Sequence, residues 1–260
     1  MEHGKKIVIL GGGYGGIEAA KTLYKKYKRN TDIQITLIDK NPYHTLMTEL
    51  HEVAGSRVEP ESVQVSYEKI FGGKRVNVVN DTITDVNFDE NKLISETDEY
   101  SYDYLVLGVG AEPEFYSILG VREHAFTLWS LDDALKLRRH INDQFRHAAG
   151  EADPEKRKQM LTFAVAGAGF TGIEMAGELI EQKQVLCRQY HIDESEVRII
   201  VIEAMEEILP IMPEKLQKKA AKYLRKKGGE LLLKSPITEA GADYVEIKGE
   251  EKIPADTIIW

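Results

Sequence analysis

The feature that most constrains the fold is a glycine-rich turn between a predicted apolar strand and a predicted helix. The strand covers residues 5–10, and the turn at 11–16 reads Gly-Gly-Gly-Tyr-Gly-Gly. Gly11, Gly13 and Gly16 have the G-x-G-x-x-G spacing. The first glycine turns the chain, the second admits a pyrophosphate, and the third brings the helix close to the strand. The helix N-terminus adds free N–H groups and a positive dipole, so this turn predicts a dinucleotide site.

An acidic residue follows where such a site holds a ribose. The next predicted strand, residues 33–39, ends in Asp39. The whole pattern then occurs a second time. The second copy comprises strand 161–166, the glycines Gly167, Gly169 and Gly172, and Glu203 at the end of strand 197–203.

Two dinucleotide patterns in one chain predict that one bound cofactor passes electrons to the other. The alternative is that one glycine turn no longer binds a nucleotide and is retained for packing of its helix against its strand. Both copies have the acidic residue at the strand end, which favours two functional sites.

Length and composition narrow the class of protein. A chain of 260 residues fits one large or two medium domains. The net charge of −9 disfavours a nucleic-acid partner. The single cysteine, Cys187, excludes an intramolecular disulfide and a redox-active cysteine pair, and no metal-ligand cluster is recognised. Neither a leader sequence nor an apolar run of membrane-spanning length is found, so a cytoplasmic protein is expected.

The loop after Asp39 is expected to line the ligand crevice, because loops at the carboxyl ends of parallel strands do so. His44 and His51 are candidate polar contacts there, although a solvent-facing or capping role is the favoured interpretation of each. The patterns that follow predict a short helix before residue 52, a third parallel strand at 75–79, an antiparallel hairpin over 82–96 and a buried strand at 104–107.

Pro113 ends the segment after that strand and marks the predicted boundary between two domains, 1–112 and 113–260. Ser130 and Asp133 predict a capping box for a helix that runs to about residue 149. The remaining predicted elements are a polar link at 150–158, helices at 173–190 and from Pro213, and strands at 231–234, 244–248 and 257–260. Because the chain stops at Trp260 inside an apolar strand, a C-terminal truncation is expected.

Over its whole length the chain resembles the flavoproteins with two dinucleotide-binding domains, above all the type II NADH:quinone oxidoreductases. The segments that carry the resemblance are 9–16 (Ile-Leu-Gly-Gly-Gly-Tyr-Gly-Gly), 43–52 (Tyr-His-Thr-Leu-Met-Thr-Glu-Leu-His-Glu), 102–110, 165–179 and 254–260. The expected fold is α/β, with two Rossmann-like domains built from parallel sheets and helices, plus small antiparallel hairpins.

The resemblance implies that the first domain binds FAD and the second binds NADH. The residues implied for FAD are Gly11, Gly12, Gly13, Tyr14, Gly15, Gly16, Asp39, Lys40, Thr48, Ile83 and Gly110. The residues implied for NADH are Gly167, Gly169, Phe170, Thr171, Gly172 and Glu203. Because a carboxylate repels a 2′-phosphate, Glu203 implies a preference for NADH over NADPH.

Glu174 is the one candidate catalytic residue, placed by the resemblance where it could orient the reacting rings or relay a proton. The alternative is a glutamate near a helix N-terminus that only complements the dipole. The implied activity is hydride transfer from NADH to FAD, followed by transfer of two electrons to a membrane quinone without proton pumping. The implied partners are the quinone, a membrane surface reached through a C-terminal segment absent here, and a second copy of the chain in a homodimer.

Two other functions stay open. A ferredoxin- or rubredoxin-type reductase has the same fold and uses a protein acceptor instead of a quinone. A truncated nucleotide-binding fragment without turnover is the other alternative, because the family's later segment that closes over the flavin is missing. Location at the cytoplasmic face of the membrane is expected for the full-length protein.

Overall fold

The computed structural model describes residues 4–249 and 252–260. Up to residue 112 the elements are β1 (Lys5–Leu10), α1 (Tyr14–Tyr27), β2 (Ile33–Asp39), β3 (Tyr43–Thr45), α2 (Leu50–Ala54), β4 (Gln64–Ser66), α3 (Tyr67–Phe71), β5 (Asn77–Asn80), β6 (Ile83–Asn87), β7 (Lys92–Ser95), β8 (Glu99–Ser101) and β9 (Tyr104–Leu107). Beyond residue 112 they are α4 (Val121–His124), α5 (Leu131–Gly150), α6 (Pro154–Met160), β10 (Thr162–Ala166), α7 (Phe170–Tyr190), β11 (Arg198–Ile202), α8 (Glu214–Lys226), β12 (Gly229–Leu232), β13 (Ile237–Ala240), β14 (Tyr244–Ile247), β15 (Ile253–Pro254) and β16 (Thr257–Ile259). Short 3-10 turns lie at Met47–Glu49, Pro60–Val63 and Glu194–Glu196.

The chain divides into two compact units. The first contains the residues up to Leu46 together with Ser62–Glu112, and the second contains Met47–Glu61 together with Pro113–Trp260. The first unit ends at Glu112, and residues 47–61, which lie inside the predicted first domain 1–112, belong to the second unit. Their apolar side chains explain this, because Leu50, Val53 and Ala54 are fully buried and α2 packs against α5 and α7.

The first unit is built on a parallel four-stranded sheet in the order β5-β2-β1-β9. Ile9 and Leu37 in the sheet pack with Ile17 of α1 and with Tyr67 and Phe71 of α3. A second cluster joins the sheet to the antiparallel strands β6-β7-β8, so a helical layer and an antiparallel layer both pack against the parallel sheet. The predicted hairpin is confirmed.

Strand β9 corrects one expectation. The sequence predicted a buried strand, yet Tyr104 and Leu107 are 60% and 55% exposed. The physical reason is position. Within the described residues, β9 lies at the edge of its sheet and pairs with β1 alone, so its apolar side chains have one neighbouring strand rather than two.

The second unit repeats the sheet of the first. Its parallel strands follow the order β12-β11-β10-β16, and β10 and β11 are almost completely buried, as expected for strands covered on both faces. Helix α5 begins with the predicted capping box between Ser130 and Asp133. The antiparallel strands β13-β14-β15 form a smaller sheet whose Val245 and Ile247 share a core cluster with Ile200 of β11.

Several short elements were not predicted. The polar link at 150–158 contains helix α6, which begins where Asp153 caps the helix and Pro154 occupies its first turn. Strands β3, β4, β8 and β13 are three or four residues long, too short for a readable alternation. None of the helices that the structure describes combines the length and apolar character needed to cross a membrane.

Candidate functional site

The first glycine turn is closed by backbone geometry that requires glycine. Gly11 has φ 101° and donates its N–H to the carbonyl oxygen of Ile38 at 2.8 Å, which ties the turn to β2. A Cβ on Gly16 would overlap the Gly11 carbonyl oxygen. The glycine at this position therefore lets α1 start directly against the turn, as the spacing predicted.

Asp39 organises this turn from the end of β2. One carboxylate oxygen accepts the N–H of Gly12 at 2.5 Å, and the other accepts the N–H of Asn41 at 2.7 Å. The acid predicted to hold a ribose therefore has a structural task as well. It fixes the glycine turn and the loop after β2 relative to each other.

Two side chains that sequence reasoning did not assign to the turn lie against Gly12. The Tyr67 hydroxyl donates to the Gly12 carbonyl oxygen at 3.1 Å, and Nδ1 of His44 lies 3.1 Å from the same oxygen. Burial, and then the charge of Asp39, raise the pKa of the Tyr67 phenol, which therefore stays protonated as a donor. His44 is buried and contacts the ring of Tyr14 edge-on, so the solvent-facing interpretation of His44 was wrong. No signal in the sequence identified Tyr67.

The second turn has the same construction. Gly167 has φ 95° and donates its N–H to the carbonyl oxygen of Ile202 at 2.8 Å. A Cβ on Gly172 would overlap the Gly167 carbonyl oxygen, as at Gly16 in the first turn. Gly169 precedes α7 with φ −70° and ψ −173°, nearly the values of Gly13 before α1, which are −71° and −173°.

Glu203 takes the place of Asp39 in the second unit. Its two carboxylate oxygens accept the N–H groups of Ala168 at 2.7 Å and of Met205 at 2.9 Å. Each strand-end acid therefore binds the second residue of its glycine turn and the residue two positions after itself.

The helix starts beside the two turns are open. An added Cβ on Gly13, Gly15 or Gly169 would meet no described atom within 4 Å. Tyr14 and Phe170 occupy the same position in α1 and α7 and are 49% and 43% exposed.

The other predicted residues are distributed between the two units. In the first unit, Lys40 is exposed after β2, Ile83 begins β6, and Gly110 follows β9 with φ 82°. Thr48 lies in the segment that belongs to the second unit. Thr171 is exposed in the first turn of α7.

Glu174 lies on α7 beside the returning segment 47–61. Its side chain is 47% exposed, and its Oε2 lies 3.8 Å from Nδ1 of His51, whose side chain is only 11% exposed. The solvent-facing interpretation of His51 was therefore wrong as well. One helical turn further along, Glu178 is buried and lies 3.0 Å from Arg57. Sequence reasoning missed Glu178, because its burial depends on a contact with the backbone at Gly55, which is far from it in the chain.

Two matching parallel sheets, each with a glycine turn closed by a strand-end carboxylate, define a protein with two Rossmann-like dinucleotide-binding units. Residues 5–260 match the family described as pyridine nucleotide-disulphide oxidoreductase, and the chain belongs to that family. The predicted α/β fold class is confirmed.

Curated relatives agree with this family. The type II NADH:quinone oxidoreductase of Staphylococcus haemolyticus (strain JCSC1435) is 34% identical over 259 residues, which cover 98% of this chain and 64% of the relative. The protein of the same name from Staphylococcus aureus (strain NCTC 8325) is 35% identical with the same coverage. The chain thus spans 64% of the length of these relatives, and the resemblance to their group is confirmed.

Solved structures share the fold. NDH2 from Plasmodium falciparum in complex with NADH matches with a TM-score of 0.88 at 24% identity, over 99% of this chain and 54% of that one. The sulfide:quinone oxidoreductase from Aquifex aeolicus matches with a TM-score of 0.73 at 18% identity, over 98% and 58%.

Proposed function

We propose that the chain forms the two nucleotide-binding units of a flavin-dependent NADH dehydrogenase of the type II NADH:quinone oxidoreductase kind. The observation that carries this proposal is the duplication itself. Two glycine turns have matching backbone angles, each is closed by a carboxylate, and each leads into an open helix N-terminus. The identity of 32–35% to relatives of that name supports it.

The first turn suits the pyrophosphate of FAD. The helix N-terminus at Gly13 and Gly15 faces space that a Cβ would enter, and no acidic residue in the first turn of α1 would repel a phosphate there. When bound, FAD supplies the acceptor for the hydride of NADH and the donor of electrons to the quinone. The residues proposed to hold it are Gly11 to Gly16, Asp39, Lys40, Thr48, Ile83 and Gly110.

The second turn suits the pyrophosphate of NADH for the same reasons. Gly169 offers the same open approach, and the first turn of α7 also has no acidic residue. Glu203 presents a carboxylate beside the turn, so we propose that it accepts hydrogen bonds from the adenosine ribose and repels a 2′-phosphate. Phe170 and Thr171 are proposed to flank the bound nucleotide.

Glu174 is proposed to act on the nicotinamide end of the same nucleotide. Its carboxylate is half-exposed, which leaves it free to accept a hydrogen bond from a ligand, and His51 supports it from the side. In this role Glu174 orients the ring for hydride transfer or takes up a proton.

A quinone is the proposed final acceptor, since the relatives carry it in their name. A membrane surface as partner, a homodimer and a place at the cytoplasmic face of the membrane stay predictions. The ferredoxin- or rubredoxin-type reductase differs from this proposal only in the electron acceptor, so the acceptor separates the two.

The proposal is tested in two steps: binding of FAD and NADH is measured first, and the preferred electron acceptor is determined second. The purified chain is supplied with FAD, the retained flavin is measured, and NADH is titrated. NADH oxidation is then followed with a soluble quinone and, separately, with ferredoxin and rubredoxin. We expect both ligands to bind and the quinone to be reduced faster. Failure to bind either ligand, or reduction of the protein acceptor alone, contradicts the proposal.

A further inference from the structure

Residues 47–61, here called the α2 segment, pack onto α7 although the chain on both sides belongs to the first unit. Besides apolar burial, an arginine of the segment contacts α7. The guanidinium of Arg57 contacts Glu52 within the segment and lies 3.0 Å from Oε1 of Glu178 on α7. Arg57 thus bridges the segment and the helix.

Glu178 is an unusual partner because it is buried, with 9% of the residue exposed. The backbone of the segment approaches it so closely that a Cβ on Gly55 would lie 2.6 Å from the Glu178 Cβ. A buried carboxylate without a cationic partner is strongly destabilising, whereas a paired one holds its surroundings in a single arrangement.

Some of the groups around Glu178 raise the pKa of its carboxyl group and others lower it. Burial raises the pKa of Glu178, and Arg57 and then His51 oppose that rise, while Glu52 and Glu181 add to it. Arg57 is the largest of the influences that lower the pKa of Glu178, so it favours the charged carboxylate more than any other neighbouring group.

The same segment reaches α7 a second time, one helical turn earlier. Nδ1 of His51 lies 3.8 Å from Oε2 of Glu174, and residues four apart on a helix share one face. The segment therefore pairs its half-exposed Arg57 with the buried Glu178 and makes a second contact, through His51, with the half-exposed Glu174 on one side of α7. A shift of the segment that breaks the first contact moves His51 away from the second.

We propose that Arg57 is a positioning residue, which through Glu178 fixes the α2 segment on α7 and so holds His51 against the Glu174 carboxylate. The consequence for NADH oxidation rests on the proposed function, in which Glu174 acts on the nicotinamide. The structural part, the coupling of Arg57 to the His51–Glu174 contact, does not depend on turnover.

The coupling is tested by NMR of the His51 imidazole. The chemical shifts of the ring are recorded at one fixed pH for the protein and for Glu174→Gln, first with Arg57 present and then in the Arg57→Gln background. We expect Glu174→Gln to change these chemical shifts when Arg57 is present and to have little effect when it is absent. An equal change in both backgrounds, or none in either, overturns the proposal. Should Arg57→Gln not fold, Arg57→Gln/Glu178→Gln removes both charges of the pair and serves as the second background.

Kinetics provide the second readout. Arg57→Gln should lower kcat for NADH oxidation about tenfold and leave KM for NADH within about twofold, because the glycine turn at Gly167 is intact. Without Arg57 the Glu178 carboxyl ionises at higher pH, so kcat of this variant should fall as pH rises through that ionisation. This fall of kcat with rising pH should be absent in Arg57→Gln/Glu178→Gln, which has no carboxyl group at position 178. Arg57→Lys restores a positive charge and should recover part of the rate.

Arg138→Gln is the matched control. Arg138 ties the same segment to α5 through Glu59 at 3.3 Å, but the Glu59 side chain is 73% exposed. Exposed pairs contribute little, so this variant should match the unaltered protein. If Arg57→Gln behaves like Arg138→Gln, the positioning role is wrong. If the unaltered protein binds both nucleotides but does not oxidise NADH, the chain is a nucleotide-binding fragment without turnover, and the NMR experiment alone decides on Arg57.

Discussion

The two glycine turns share their backbone but not their surroundings. In the first unit the Gly12 carbonyl oxygen accepts a hydrogen bond from the Tyr67 side chain. In the second, the matching Ala168 carbonyl oxygen accepts the backbone N–H of Leu209 at 2.8 Å. The second residue of the turn is therefore an alanine, Ala168, in the second unit. In the first unit it is Gly12, where a Cβ would overlap the Tyr67 hydroxyl.

Some glycines are therefore required by the motif in both units, and others are required by the surroundings in one unit only. Gly16 and Gly172 are glycines because each helix starts against its own turn, which is a property of the motif. Gly12 is a glycine because Tyr67 packs on it, which is a property of the first unit alone. Substitutions at matching positions should therefore have equal effects in one case and unequal effects in the other.

The largest effect is expected where the two units are alike. Gly16→Ala and Gly172→Ala each place a Cβ on a backbone oxygen that cannot move independently of its strand. Each should lower the free energy of unfolding by about 3 kcal/mol. Chemical denaturation measures this, and a cost below about 1 kcal/mol in either unit would contradict the close approach described for that turn.

A smaller and unequal effect is expected at the second turn position. Gly12→Ala should cost about 2 kcal/mol, because the Tyr67 ring must shift to admit the methyl group. Ala168→Gly should cost only about 1 kcal/mol through added chain entropy. Denaturation of both variants tests the comparison, and equal costs would remove the distinction between the two units.

Sequence reasoning recovered what the motif requires. It identified both turns, both strand-end acids, the parallel strands and the capping box of α5, because each depends on residues near one another in the chain. It could not find Tyr67 or place residues 47–61 in the second unit. Those features depend on contacts between distant parts of the chain, and neither a tyrosine nor a five-residue helix carries a periodic signal.

The two acids were predicted as ribose ligands, and the structure adds a second role that no pattern announced. Both oxygens of Asp39 and both oxygens of Glu203 accept backbone N–H groups, which orients them at the turn. The motif thus selects for an acid at the strand end even before a nucleotide is considered.

The effect expected on nucleotide choice is smaller than that of Gly12→Ala on stability. Glu203→Gln keeps the shape of the side chain and removes its charge, so it should reduce the NADH-over-NADPH affinity ratio about tenfold, or about 1.4 kcal/mol. Titration of both nucleotides measures the ratio. Asp39→Asn, the matching change in the first unit, is the control and should leave the NADH-over-NADPH ratio unaltered. If both variants lower the ratio equally, the cause is the loss of hydrogen bonds to the glycine turn and not the loss of the charge at residue 203.

The central claim is that one turn binds FAD and the other NADH, and it is tested most directly at Gly13 and Gly169. Both have ordinary backbone angles, and an added Cβ would meet no described atom within 4 Å, so we expect valine at either position to obstruct a ligand while the protein still folds. Retained flavin and NADH affinity are measured on the same preparations of Gly13→Val and Gly169→Val. The account predicts that the first loses FAD and keeps NADH, and that the second does the reverse. Variants that keep both ligands, or that each lose both while still folded, would contradict it.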